Sequence, residues 1–138
     1  MINIFVLEDD PERQAAFRKN LIPANVYIAE SAEKAKQLLE SGIYDVWFLD
    51  HDLGGKVFVS SDPEGDNGYA VAKWAAGKLK EGNDVAKPMF VIVHSLNPAG
   101  STNIRAALDE VPNLPTRAVP FAWSKVSIQD NNLTVTLT

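Results

Sequence analysis

The chain contains two histidines, and each directly follows an apolar stretch. His51 lies between two aspartates in WFLDHDLGG, residues 47 to 55, and His94 lies in MFVIVHSLNPAG, residues 89 to 100. Imidazole titrates near neutral pH, so it can take up and release a proton during a reaction. Two histidines in comparable positions therefore indicate a general base and a general acid, without indicating which is which.

Acidic residues follow the same kind of apolar stretch. Asp9 and Asp10 come soon after the first one, and Asp50 and Asp52 flank His51. Several carboxylates around one pocket would repel a phosphate, so a phosphate substrate would require a divalent cation. An acid that ends a buried strand is costly to keep there, which favours a functional site over a simple loop start.

Composition excludes several classes of protein. The 138 residues include 13 basic and 18 acidic side chains, and the net charge of -5 gives no basic surface for a long nucleic-acid duplex. The absence of cysteine excludes disulfides and thiolate metal sites. The first residues, MINIFVLEDD, have no basic region, and their apolar run is too short for a signal peptide or a membrane span. We therefore expect a cytoplasmic protein without a membrane partner.

Hydrophobic periodicity places these residues on a regular framework. Strands are predicted over residues 2–7, 26–29, 45–50, 89–93 and 117–119. Helices are predicted over residues 11–21, 32–42, 68–80 and from about 101 to 112. The expected N-caps are Asp10, Ser31 and either Ser101 or Thr102, and Gly42 is expected to close the second helix in a left-handed conformation.

Continuous apolar strands that alternate with helices are typical of a parallel sheet covered on both faces. The predicted fold is α/β, a doubly wound five-stranded parallel sheet. Ligands of such sheets bind beyond the carboxyl ends of the strands, where the acids and both histidines would gather. Residues 51–67 form a long loop of the kind that usually carries function.

The acid pair after the first strand and Asp50 at the end of the third resemble the receiver domain of two-component response regulators, a flavodoxin-like fold. The resemblance covers about residues 1 to 121. It implies that Asp9 and Asp10 hold Mg²⁺ and that Asp50 accepts a phosphoryl group. Either His94 or Ser95 stands where receivers carry threonine or serine.

The last part of the chain departs from the receiver pattern. Val119-Pro120 stands where receivers carry Lys-Pro, so Arg117 or Lys125 could supply that charge only by reaching from elsewhere. Alternating apolar residues around Asp130-Asn131-Asn132 predict a β-hairpin in place of a fifth helix. We expect a single domain, with its core over about residues 1–121 and the hairpin over about 124–138.

The stretches LDHDLGG, NGYAVAKW and HSLNPAG are closer to a divergent subgroup, the cyclic-phosphate processing receiver-like domains. This resemblance implies a metal-dependent phosphoesterase for a cyclic phosphate on a nucleotide or an RNA end. Oxygen ligands from Asp9, Asp10 and Asp50 favour Mg²⁺ or Mn²⁺, and a neighbouring imidazole would leave Zn²⁺ open.

In this interpretation the catalytic residues are His51, His94 and Asp50. Asp52 or Asn97 would orient an imidazole ring. Phosphate oxygens would be held by Ser95, the amides after Gly100 and the N-terminus of the fourth helix.

Other interpretations stay open at this point. Asp10 serves equally well as an N-cap alone, and Asn97 before Pro98 is also typical of a turn. A lone His94 would more often be structural. The whole chain could also be a signalling receiver phosphorylated on Asp50, or a non-catalytic module that binds a nucleotide or a protein.

Overall fold

The computed structural model describes residues 2–129 and 134–137. In chain order its elements are β1 (Asn3–Leu7), α1 (Pro11–Asn20), β2 (Asn25–Ala29), α2 (Ala32–Ser41), β3 (Val46–Leu49), α3 (Gly68–Glu81), β4 (Phe90–Val93), α4 (Pro98–Leu108), β5 (Thr116–Ala118), a short 3₁₀ helix (Ala122–Ser124), β6 (Val126–Gln129) and β7 (Thr134–Leu137). The predicted order of strands and helices is confirmed. Among the described residues, no helix is both long and apolar enough to cross a membrane.

The first five strands form one parallel sheet in the order β2-β1-β3-β4-β5, the predicted doubly wound arrangement. Leu7 pairs with Leu49, and Leu49 pairs with Val93, so β1, β3 and β4 end in one row. The backbone pairing continues one residue further, because the amide of Asp50 donates to Leu7 and the amide of His94 donates to Leu49. The residue that follows each strand is therefore held at the same edge of the sheet.

Two hydrophobic clusters cover the two faces of the sheet. The first contains Trp47 and Leu49 of β3 together with residues of α2, α3 and α4. The second contains Phe48 with Phe17 of α1 and Val126 of β6. Successive strand residues alternate between the faces, and this alternation decides where the side chains beyond the strand ends point.

The C-terminal strands β6 and β7 pair antiparallel, with Val126 opposite Leu137. This confirms the predicted hairpin, although its predicted turn at Asp130-Asn131-Asn132, and Leu133 after it, lie outside the described residues. Since Val126 is buried in the same cluster as Phe17, the hairpin covers the α1 face.

Two of the three predicted helix N-caps are confirmed and the third is wrong. Asp10 and Ser31 are confirmed as N-caps, each accepting a backbone hydrogen bond from its helix. The predicted cap of α4 at Ser101 or Thr102 is wrong, because the helix begins at Pro98 and is capped by Asn97. Proline suits the first helical position, and the Asn97 side chain accepts the amide hydrogen of Gly100.

The predicted left-handed cap at Gly42 is also wrong. Gly42 has an extended backbone, with φ of -144° and ψ of 165°. A Cβ there would lie 2.8 Å from the hydroxyl of Tyr44, so close approach of this ring explains the glycine better than its φ does.

Candidate functional site

Three ionisable side chains meet at the carboxyl ends of β1, β3 and β4. Glu8, Asp50 and His94 each offer one ligand atom, and these atoms lie within 4.8 Å of one another. Glu8 and His94 are fully buried, and Asp50 is 3% exposed. His94 Nε2 lies 3.1 Å from Glu8 Oε1. We call these three residues the buried cluster.

Burial shifts the titration of every member of the buried cluster towards its uncharged form. It raises the pKa of Glu8 to about 7, against the opposing hydrogen bond from the Asp10 amide. It raises the pKa of Asp50 to about 7, although attraction to the protonated form of His94 acts in the opposite direction. It lowers the pKa of His94 to about 4, so the imidazole is neutral at pH 7.

The buried cluster fits a divalent cation. Two buried carboxylates are costly to ionise, and the Arg13 guanidinium of the described part of the chain approaches Glu8 Oε1 only to 3.9 Å. His94 Nδ1 is buried without a hydrogen-bond partner among the described residues. Two oxygen donors and one imidazole suit Mn²⁺ and Zn²⁺ as well as Mg²⁺.

Glu8 is the member of the buried cluster that the sequence pattern did not identify, since Asp9, Asp10 and Asp50 were the predicted ligands. The Asp10 carboxylate caps α1 and lies 3.3 Å from Arg13 Nε. The Asp9 carboxylate accepts the amide hydrogen of Gly55 at 2.7 Å. Strand register identifies Glu8, because Glu8 is the first residue after β1 just as Asp50 is the first residue after β3.

A cavity of about 640 Å³ opens beside the buried cluster, and Asp50 is the member that lines it. The loop of residues 52–61 contributes part of its wall. The other lining residues are Asp9, Asp10, Pro11, Arg13, Glu30, Asp52, Gly54, Gly55, Lys56, Val57, Phe58, Ser95 and Leu96. We call this space the acidic cavity. Its cationic lining residues are Arg13 and Lys56, whereas Arg117, considered from the sequence, lines a different cavity at β5.

His51 is fully buried and connects the loop to α4. Its Nδ1 lies 2.8 Å from Asp52 Oδ1, and its Nε2 lies 2.9 Å from Ser61 Oγ. Ser61 Oγ also accepts a hydrogen bond from Asn103 of α4. Asn97 Nδ2 donates to Asp52 Oδ1 at 3.1 Å, so both predicted orienting groups lie beside the ring.

The Asp52 carboxylate lies at the centre of this hydrogen-bond network. Burial raises the pKa of Asp52, but hydrogen bonds from His51, Asn97 and the amides of Phe58 and Val59 outweigh it, and the net pKa is lowered. Asp52 therefore stays ionised and holds the loop, instead of exchanging a proton near pH 7.

The two imidazoles lie at the same edge of the sheet but on opposite faces. His94 packs edge-on against Phe17 and Trp123 on the α1 side, whereas His51 packs against Gly100 of α4. Both rings are fully buried, and neither lines the acidic cavity. Each ring has its own hydrogen-bond partners, so the geometry provides no direct contact between a general acid and a general base.

The predicted phosphate-binding residues are divided between the cavity and the α4 cap. Ser95 lines the acidic cavity, and its Oγ accepts the amide hydrogen of Asn97. The amide of Gly100 donates to Asn97 Oδ1, and the amide of Ser101 donates to the Asn97 carbonyl. Because α4 begins before Gly100, these amides are already used by the helix.

Replacing Gly100 by alanine should destabilise the protein by about 3 kcal/mol or more, because the new Cβ would overlap the His51 ring. Gly77 provides a matched control in α3, where a Cβ meets nothing within 4 Å. Gly77→Ala should be neutral or stabilising by about 0.5 to 1 kcal/mol. Urea unfolding measures the free energy of unfolding of both variants. Equal stabilities would show that the His51 ring is not packed tightly against α4.

Comparison with known proteins identifies the family of the chain. A family described as the cyclic-phosphate processing receiver domain matches residues 2–110. The chain belongs to this family. No curated protein sequence matches this member of the cyclic-phosphate processing receiver domains.

Solved structures show that the chain has a receiver-like fold. The response regulator TrrA from Thermotoga maritima, solved in complex with Mg²⁺-BeF, is 22% identical with a TM-score of 0.57, over 87% of this chain and 86% of that one. The bacteriophytochrome response regulator AtBRR is 17% identical with a TM-score of 0.56, over 89% and 86%. At these identities the likeness establishes the fold alone.

Proposed function

We propose that this cyclic-phosphate processing receiver domain is a metal-dependent phosphoesterase that opens a cyclic phosphate on a nucleotide or an RNA end. The observation that carries the proposal is the position of Asp50. It belongs to a buried set of metal donors and also lines a cavity that contains two cationic side chains. A metal held there would adjoin the space in which a phosphate can bind.

Glu8, Asp50 and His94 would hold the cation, Mg²⁺ or Mn²⁺, and Asp9 at the cavity wall is a candidate further ligand. Such an ion neutralises clustered carboxylates and polarises a phosphate. TrrA, a response regulator of similar fold, was solved in complex with Mg²⁺-BeF, which supports a divalent cation in a fold of this kind. His94 is then a ligand instead of a proton donor.

The protein's own groups would bind and position the phosphate. The Arg13 guanidinium and the Lys56 ammonium line the acidic cavity and can balance negative phosphate oxygens. Ser95 offers a hydroxyl at the same wall. Of the three predicted catalytic residues, Asp50 borders this space, so we assign the catalytic role to Asp50 and a positioning role to His51.

The test is hydrolysis of a 2′,3′-cyclic nucleotide in the presence of Mg²⁺ or Mn²⁺. Asp50→Asn should lower the rate at least about 100-fold, the scale on which catalytic groups act. Asp109→Asn, an exposed position after α4, is the matched control and should retain the wild-type rate. A wild-type rate no greater than that of Asp50→Asn would refute the proposal.

A signalling receiver is the second candidate, favoured by the placement of Asp50 at the end of β3 within a receiver fold. Intact mass measurement after incubation with acetyl phosphate separates the two. A stable phosphoryl group that is absent from Asp50→Asn, together with no cyclic phosphate hydrolysis, would favour the receiver.

A further inference from the structure

Three apolar side chains border the acidic cavity while remaining open to solvent. Val57 is 78% exposed, Phe58 is 75% exposed and Leu96 is 40% exposed. Single exposed apolar residues are ordinary, but several around one cavity mark a binding surface. The acidic cavity therefore has an apolar rim as well as its charged wall.

Phe58 is held in a conformation that its residue type disfavours. Its φ is +52°, in the left-handed region where glycine and asparagine are more at ease. Its amide donates to Asp52 Oδ2 at 2.7 Å, and the next amide, of Val59, donates to Asp52 Oδ1 at 3.2 Å. Because the ring is exposed, burial offsets little of this strain, and the two hydrogen bonds to Asp52 hold the conformation that places Phe58 at the acidic cavity.

We propose that Phe58, which lines the same cavity as Val57 and Leu96, stacks on the base of the substrate while the phosphate lies beside Asp50. This inference rests on the proposed function and adds a base-binding subsite at Phe58, so that the base of the substrate is bound as well as its cyclic phosphate. The cavity volume of about 640 Å³ is in the range of small-molecule sites.

The chemistry of the rim favours a base over a small aliphatic group. Every base has a π-face that can stack on an aromatic ring, and such stacking contributes about 1 to 3 kcal/mol per base. Val57 and Leu96 offer no hydrogen-bonding side chain, so the rim would accept different bases with little discrimination. A cyclic phosphate without a base would leave the rim unused.

The experiment compares the kcat/KM of a nucleoside 2′,3′-cyclic phosphate with that of glycerol 1,2-cyclic phosphate. Phe58→Asn should lower the value for the nucleotide about 10- to 100-fold and leave the value for the glycerol compound unchanged. Phe58→Tyr, which keeps an aromatic ring, should retain the preference for the nucleotide. The Tm of Phe58→Asn should be equal to or higher than that of the wild type, because asparagine tolerates a positive φ.

Phe121 supplies a matched control. It is also an exposed phenylalanine with a positive φ, 63°, but it lines a neighbouring cavity, which shares Ser95 and Leu96 with the acidic cavity, and does not line the acidic cavity itself. Phe121→Asn should therefore leave the ratio of the two kcat/KM values at the wild-type level. An equal loss for both substrates in Phe58→Asn, or no loss for either, would overturn the base-stacking role while leaving the phosphoesterase intact.

If the wild type hydrolyses neither substrate, the proposed function fails. The base-binding subsite is then tested separately, by measuring ligand binding. Calorimetric titration with a nucleoside 3′-monophosphate and with glycerol phosphate, in Mn²⁺, provides that measurement. Tighter binding of the nucleotide that is lost in Phe58→Asn would support the subsite. Equal binding of both compounds by wild type and variant would overturn it.

Discussion

Glu8→Gln should stabilise the metal-free protein at pH 8 by about 3 kcal/mol and change its stability little at pH 4. Burial raises the pKa of Glu8 from 4.5 to about 7, and a tenfold difference in proton affinity between the folded and unfolded chains corresponds to about 1.4 kcal/mol. Below pH 4.5 the carboxyl is protonated in both the folded and the unfolded chain. As pH rises to 7, the unfolded chain ionises first, so folding stability falls. Glutamine has no charge to bury.

His94 changes the folding stability with pH in the direction opposite to Glu8. The lowered pKa of His94 makes stability rise with pH between about 4 and 6.5, because the unfolded chain binds the extra proton there. This contribution is common to the wild type and Glu8→Gln, so it largely cancels in their difference. The ion pair lost with Arg13 is long, 3.9 Å, and is expected to matter little.

Urea unfolding in EDTA at pH 4, 6 and 8 measures this difference. Glu40→Gln, an exposed glutamate at the end of α2, is the matched control and should remain within about 0.5 kcal/mol of the wild type at each pH. A Glu8→Gln variant less stable than the wild type at pH 8 would mean that the Glu8 carboxylate is well compensated in the metal-free protein.

The sheet could be predicted from the sequence because its strands are continuous apolar runs, separated by segments with helical periodicity. The same information placed Asp50 and His94 at one edge of the sheet. Hydrophobic periodicity does not predict helix ends reliably, because local side-chain hydrogen bonds determine where a helix begins and ends. Asn97 caps α4 because Pro98 can follow it, which moved the helix start ahead of both predicted caps, Ser101 and Thr102.

The placement of the two histidines on opposite faces of the sheet can be derived from the sequence once the register of the strands is known. Leu49 and Val93 are paired in the sheet and face the same cluster. His51 lies two residues beyond Leu49, whereas His94 lies one residue beyond Val93. Because side chains alternate between the faces, this difference in parity sends the two rings to opposite sides. Pairing of the strands in register was the missing step, and it would also have identified Glu8.

Mn²⁺ in large excess should raise the Tm of the wild type by roughly 7 to 12 °C at pH 8 and by much less at pH 5.5. Binding at 100 times Kd stabilises a protein by about 2.7 kcal/mol, which corresponds to a change in Tm of this size for a chain of this length. At pH 5.5 protons compete for Glu8 and Asp50, because the pKa of each is raised to about 7. The cation must displace those protons before it can bind.

Thermal unfolding of Asp50→Asn and Asp109→Asn with and without Mn²⁺ locates the ion. The rise in Tm should disappear in Asp50→Asn, which removes one buried ligand, and persist in Asp109→Asn, an exposed position beyond α4. A neutral amide at position 50 also removes a buried carboxylate, so Asp50→Asn should start from a higher Tm without metal at pH 8. An undiminished rise in Asp50→Asn, or a larger wild-type rise at pH 5.5 than at pH 8, would place the ion outside the buried cluster.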